Sequence, residues 1–461
     1  MIRRNFFKFA MIFSIGLSIL ISTAQAEIKT YIGVGEYFMS DFETLDIAKQ
    51  RAKAYAQRDA QEQAGIYIQS YSRMENFKLI DDEIVTMTNG ILKVLKTDYQ
   101  TLTTNEGAGV KIRATIEANI ETSEINKWLD RSVQERSTLV NQNKELQKAV
   151  NEQEKTIADL KRQLAESKKS QKIDKIVAGK FAEADKDFLS NQKVDDGNKC
   201  YINGEIEKAL AYYNEALKLN PKNVIALSNI AAICNDLDDY NNALEKSNSA
   251  IKIDPNYSLS YYNRALAYLN TQNYDQATKD FSKAIELDKN FIAAYNNRGL
   301  SRYYSQDING ALEDFNKAIS INKNFAEAYS NRAMVYLTKN DFKRALDDCN
   351  IATQLQPNYA IAHYNRGNAN INLGDFNSAV ADYSKAINLN ENFAIAYYNR
   401  AVAYSALQNY DLSIKDFTTF INFNPNFAQA YYFRGLCYKE LGNNSAAEND
   451  LMKAKQLGYN F

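Results

Sequence analysis

Six asparagines recur at one register of a 34-residue pattern: Asn229, Asn263, Asn297, Asn331, Asn365 and Asn399. A carboxamide both donates and accepts hydrogen bonds, so a row of them suits the backbone of an extended peptide without demanding a particular sequence. Asparagine is a mediocre helix former, so its recurrence needs a reason: a ligand-binding ladder, or recent duplication of one unit. Another register of the same face has drifted through Leu259, Ala293, Glu327, Ile361, Ile395 and Gln429, which speaks against duplication alone. Tyr262, Tyr364, Tyr398 and Tyr432, with Leu266, Leu300, Met334, Val402 and Leu436, are expected beside the ladder. An apolar, amide-lined groove of this kind takes a neutral extended segment with apolar anchors.

A second constellation is ionic. Arg264, Arg298, Arg332, Arg366, Arg400 and Arg434 are each followed 16 residues later by Asp280, Asp314, Asp348, Asp382, Asp416 and Asp450. The two preceding units have neither partner, carrying Asp196 with Tyr212 and Ile230 with Lys246, and this joint presence and absence predicts an ion pair inside each unit.

Little else is equipped for catalysis. The single histidine, His363, shares the packing register of Tyr261, Tyr295, Tyr329, Tyr397 and Tyr431, and there is no phosphate loop or metal-ligand cluster. Gly33-Val34-Gly35 lacks the third glycine and acidic follow-up of a dinucleotide site and predicts a turn at a strand end. Asp81-Asp82 is a helix start. Cys200 and Cys234 fall at one register of consecutive units, on helices about 8–10 Å apart, beyond the roughly 7 Å that a disulfide spans. Cys349 and Cys437 are likewise expected as small packing residues. The expectation is a non-enzymatic protein with no cofactor. The alternative is an enzyme, or an enzyme-regulatory subunit of the envelope, acting through the N-terminal domain.

Composition agrees. A net charge of -1 with 24% charged residues offers nothing to a polyanion, so nucleic acid is not an expected partner. Seventeen glycines and four prolines in 461 residues favour helix with little loop. Residues 1–26 have a basic start (Arg3, Arg4, Lys8), an apolar run from Phe9 to Ile21 and Ala24-Gln25-Ala26, the pattern of a secretory signal peptide. The run is short of the roughly 20 residues that span a bilayer. No cysteine stands near the cleavage point to take a lipid, so a periplasmic or secreted chain without a stable membrane span is expected.

Residues 27–122 predict a small α+β domain, with strands at 30–38, 66–71, 94–103 and 110–120 and helices at 41–63 and 82–91. Alanines at 48, 52, 56, 60 and 64 form a ridge for close approach to a sheet. Residues 124–175 read as a coiled-coil helix, with Asn143, Val150, Ile157 and Leu164 at heptad position a and Leu139, Leu146 and Leu160 at d. That pattern favours a parallel two-stranded coil and hence a homodimer, against a lone solvated helix. Residues 176–189 form a linker helix, and 190–461 hold eight 34-residue units. The whole is mainly α.

The units carry small residues at Gly197, Ala231, Ala265, Gly299, Ala333, Gly367, Ala401 and Gly435. Twelve residues on stand Ala209, Ala243, Ala277, Ala311, Ala345, Ala379, Ser413 and Ala447, and Pro221, Pro255, Pro357 and Pro425 share one further register. These residues resemble the tetratricopeptide repeat family, which implies an α-solenoid of helix pairs with a groove lined by the first helices, A, of each pair. The ladder is similar to asparagine rows that hold peptide backbones in that family. Asn198 resembles one element of its carboxylate clamp, whose basic positions are here Val194, Leu259 and Asn263, so an acidic C-terminal tail is a poor ligand. Residues 27–122, through Gly33-Val34-Gly35, Arg58-Asp59-Ala60 and the last strand, resemble the N-terminal domain of the FlgT-type flagellar accessory proteins and related secreted lipoproteins. That resemblance implies a setting in cell-envelope assembly.

Overall fold

The structure, a computed structural model, describes residues 27–74, 79, 81–103, 110–166 and 171–460; the signal-peptide segment lies outside the described residues. The chain forms two compact bodies, one of Met1–Arg131 with Leu139–Ile230 and one of Ser132–Thr138 with Ala231–Phe461. Among the described residues no helix is long and apolar enough to cross a membrane.

The first body opens with β1 (Ile28–Phe38), α1 (Leu45–Met74), α2 (Asp81–Ile91), β2 (Lys93–Thr103), β3 (Val110–Glu121) and α3 (Thr122–Leu129). The sheet is antiparallel in the order β1-β3-β2. Alternation along β3 turns Ile112, Ala114, Ile116, Ala118 and Ile120 inward, where they meet the fully buried alanine ridge of α1. The ridge lets helix backbone reach sheet backbone. Gly33 and Gly35 lie inside β1, opposite Ile116 and Ala114, and a side chain at either would overlap the carbonyl oxygen of Ala56 or Ala52. The turn expected at Gly33-Val34-Gly35 is therefore corrected: these glycines mark close contact, not a chain reversal. The strand expected at 66–71 is also corrected, because Ala64 and Ile68 continue the ridge at four-residue spacing and α1 runs on to Met74.

Two long helices follow, α4 (Val133–Glu166) and α5 (Gln171–Ile202). The heptad stripe of α4 is buried within the chain. Leu139 joins the α+β core, the Asn143 carboxamide accepts a 2.7 Å bond from Asn89, and Ile157 and Leu160 pack on Val177, Phe181 and Ala184 of α5. The expected coil is thus corrected in its partner, since the face assigned to a second copy meets the chain's own α+β core at one end and α5 at the other. The linker helix expected at 176–189 is the middle of α5. Arg51 of α1 is buried beside Glu43 and donates 2.8 Å bonds to the Tyr37 hydroxyl and to Asp185 of α5.

The end of α5 is helix A of repeat one, and α6 (Ile206–Leu219) is its helix B. The pairs then run α7 (Val224–Asp236) with α8 (Tyr240–Ile253), α9 (Ser258–Asn270) with α10 (Tyr274–Leu287), α11 (Ile292–Tyr304) with α12 (Ile308–Ile321), and α13 (Ala326–Thr338) with α14 (Phe342–Leu355). The last three are α15 (Ala360–Asn372) with α16 (Phe376–Leu389), α17 (Ala394–Ala406) with α18 (Tyr410–Phe423), and α19 (Ala428–Glu440) with α20 (Asn444–Gln456).

Each A helix ends in the same way. Gly204, Asp238, Gln272, Gln306, Asn340, Gly374, Gln408 and Gly442 share one register and a left-handed φ between 56° and 83°. A side-chain oxygen at the next residue then caps helix B in five pairs: Asp239, Asp307, Asp341, Asp375 and Asn443 each accept a backbone N–H three residues on. In repeats four and six the glycine of helix A lies on an aromatic ring of helix B, where a Cβ at Gly299 or Gly367 would stand 2.7 or 2.6 Å from Phe315 or Tyr383.

Candidate peptide-binding groove

Within repeats three to eight, the Nε and Nη2 atoms of Arg264, Arg298, Arg332, Arg366, Arg400 and Arg434 donate to the carboxylates of Asp280, Asp314, Asp348, Asp382, Asp416 and Asp450. The carboxylates are buried and the forks two-pronged, at 2.7 Å for both bonds between Arg332 and Asp348. Nη1 has a further role that the sequence reading missed. It donates to Asn248, Ser282, Asn316, Asn350, Ser384 or Thr418 on the preceding helix B, each 16 residues before its arginine. One arginine thus joins three helices. Five of the guanidiniums also lie over the tyrosine three residues back, 5.4–5.6 Å from the ring centroid. In repeat six that ring is His363, buried, with Nε2 2.9 Å from the Pro357 carbonyl and Nδ1 3.6 Å from Asp382.

The ladder asparagines face the preceding A helix. Asn229 Nδ2 donates to Asn198 at 2.8 Å, Asn297 to the Tyr262 hydroxyl at 3.0 Å, and Asn331 to Asn296 at 2.9 Å. Asn365 donates to Ser330 Oγ at 3.1 Å, and Asn399 to Asn368 at 2.9 Å and the Tyr364 hydroxyl at 3.2 Å. Asn263 takes part through its backbone, its carbonyl accepting from Asn235 at 2.8 Å. The expectation that each carboxamide both donates to and accepts from a ligand is therefore narrowed. The amino groups fasten one repeat to the next, and what Asn365 and Asn399 have left is the oxygen.

The predicted groove tyrosines also prove partly internal. Tyr262 is buried on Phe291 with ring centroids 4.5 Å apart, Tyr364 lies 4.9 Å from Phe393, and Tyr398 lies 5.4 Å from Phe427, the residue that opens the next A helix. Tyr432 meets Tyr459 at 4.9 Å. Leu266, Leu300, Met334, Val402 and Leu436 are half-buried. The drifting register separates two stretches. Leu259, Ala293 and Glu327 are buried, whereas Ile361 and Ile395 are 46% and 36% exposed and Gln429 is exposed.

The covered stretch holds residues 132–138. The Gln134 carboxamide accepts from Asn296 Nδ2 at 2.9 Å and donates to Asn297 Oδ1 at 3.4 Å. Thr138 lies beside the Tyr262 hydroxyl, its own hydroxyl donating to the Gln134 carbonyl at 3.1 Å. Burial pushes the Glu327 carboxyl above its ordinary range, opposed in part by the Ser132 hydroxyl, the Gln134 backbone and the Arg136 charge, none of which closes a well-formed hydrogen bond on its oxygens.

The four cysteines are free, and burial raises the thiols of Cys200, Cys234 and Cys349, the reverse of what a nucleophile needs. Among the described residues no group of three or more His, Cys, Asp or Glu side chains is placed to hold a metal.

Helix pairs repeated every 34 residues, ion-paired within and fastened by amides between, define an α-solenoid of the protein-binding class. Tetratricopeptide repeat models match residues 258–291, 326–359, 394–427 and 428–457, and a TPR repeat model matches 197–235, 299–340 and 371–408. The array belongs to the tetratricopeptide repeat family, whose members serve as scaffolds for protein–protein interaction. Among solved structures, the chain is similar to MamA protein, at 25% identity over 36% of this chain and 91% of that one, with a TM-score of 0.34. It is similar to YrrB, described as a TPR protein with an unusual peptide-binding site, at 22% identity over 40% and 95%, TM-score 0.33. It is also similar to pilF of Pseudomonas aeruginosa, at 19% identity over 44% and 91%, TM-score 0.41. No curated protein sequence matches the chain.

Proposed function

We propose that this chain is a non-catalytic scaffold that holds a neutral, extended peptide or protein segment in the groove of repeats six to eight. The observation that carries the reading is the exposure of Ile361 and Ile395 beside Asn365 and Asn399. Two apolar anchors stand next to carboxamides whose amino groups are already engaged and whose oxygens accept no hydrogen bond among the described residues, so the matching ligand brings apolar side chains and backbone N–H donors. The setting is the cell envelope after export, a reading supported by the basic, apolar and small-residue run of residues 1–26 and by the resemblance of residues 27–122. A homodimer through the heptad stripe is not part of the proposal, because the α+β core and α5 cover that face.

The test is capture of partners from envelope extract by the wild-type chain and by an Ile361→Glu, Ile395→Glu variant. Both positions are exposed, so the fold should be kept while the anchors become charged. Loss of the captured partner is expected, and an unchanged set of partners would refute the groove.

A further inference from the structure

Residues 132–138 belong to one compact body with the repeats from Ala231 onward, although the chain before and after them belongs to the other. Their conformation is set locally. Ser132 Oγ accepts the Glu135 backbone N–H at 3.1 Å and Glu135 Oε2 accepts the Ser132 N–H at 3.3 Å, a reciprocal capping box that starts α4 at Val133. A helix begun there places Gln134 and Thr138, four residues apart, on one face. Gln134 meets Asn296 and Asn297, and Thr138 meets Tyr262.

The groove is shaped to receive them. At the register of Tyr262, Tyr364, Tyr398 and Tyr432, repeats four and five carry Asn296 and Ser330 instead. Asn296 and Asn297 then present adjacent carboxamides, and each makes one bond to the Gln134 carboxamide, one donating and one accepting. A primary amide satisfies both at once through two separate atoms, whereas a carboxylate lacks the donor and an ammonium lacks the acceptor.

We infer that Ser132–Thr138 is a tethered competitor for the groove of repeats three to five, and that a partner using this stretch displaces it with a glutamine side chain of its own. The inference rests on the groove reading given above and extends it from the open stretch to the covered one. A tethered segment acts at an effective concentration of about mM, so a free ligand of equal intrinsic affinity binds the intact chain poorly.

The experiment uses the full chain and a fluorescently labelled peptide of residues 130–145, in two forms: with Gln134, and with alanine in its place. The Gln134 peptide should bind a Gln134→Ala chain at least about tenfold more tightly than the wild-type chain, in line with the tether advantage, and the alanine peptide should bind neither. Equal affinity of the Gln134 peptide for both chains, no binding to the Gln134→Ala chain, or equal binding of the two peptides would each overturn the inference. A Gln134→Glu chain, which sets a carboxylate against Asn297 Oδ1, serves if the alanine variant does not fold. The two readings fail separately. Equal peptide affinities with partner loss in the Ile361→Glu, Ile395→Glu variant remove the competitor alone, whereas retained partners with clear peptide discrimination remove only the open-stretch reading.

Discussion

Repeats three to five and repeats six to eight are built on one scaffold and offer different groove faces. Both have the two-pronged Arg–Asp pair, the left-handed residue after helix A and a glycine seated on an aromatic ring, Gly299 in one and Gly367 in the other. They part company at the groove registers, where Leu259, Ala293 and Glu327 are covered and Ile361, Ile395 and Gln429 are not. The positions that hold the fold hardly vary, so the recognition chemistry is written in the positions that do.

If the scaffold is shared, breaking it should cost the same in either stretch. Asp348→Ala and Asp416→Ala each leave a guanidinium without its buried partner and should each lower stability by about 3–5 kcal/mol. Hydrogen exchange resolved by repeat is the suitable measurement, because long arrays depart from two-state unfolding. A large cost in one stretch alone would break the comparison. Asn297→Ala and Asn399→Ala should each cost about 1–3 kcal/mol through an unpaired acceptor on the preceding helix. Only the first should also speed exchange of the amides of residues 133–138, which sharpens the contrast between the two faces.

Glu327 adds a difference in pH response. Burial raises its carboxyl above the ordinary 4.5, so the folded chain binds this proton more tightly than the unfolded one. In the window between the two values stability rises as pH falls and declines as pH rises. Glu327→Gln should remove that dependence from repeat five, while repeat six, with Ile361 at the same register, should show none from this position. The smallest stability effect belongs to Ile361→Glu with Ile395→Glu, within about 0.5 kcal/mol for each exposed change in thermal or denaturant unfolding. A larger loss would mean that the open face is not open.

The 34-residue register was legible throughout, and the 16-residue Arg-to-Asp spacing with it, because two antiparallel helices of constant length bring the same pair of positions together in every repeat. The third arginine contact was not, although Asn248, Ser282, Asn316, Asn350, Ser384 and Thr418 are all small and polar: their role depends on how one repeat stacks on the next. The ladder was visible as a row, but which half of each carboxamide stays available is decided by neighbours 31 or 35 residues away. The heptad of α4 was real as a stripe. Nothing in a stripe says whether the matching helix comes from another chain or from α5. Gly33 and Gly35 needed the sheet and the alanine ridge together, and the contact of Gln134 with Asn296 spans 162 residues, beyond any local pattern.

Most joints in the array are fastened twice, by an asparagine amide between A helices and by an arginine reaching the preceding B helix. A joint held at one point can swivel; held at two, it resists both twist and separation. Between repeats seven and eight the asparagine gives way to Phe433, stacked on Phe417, while Arg434 still reaches Thr418. That joint keeps its arginine bond and trades a directional amide bond for aromatic packing.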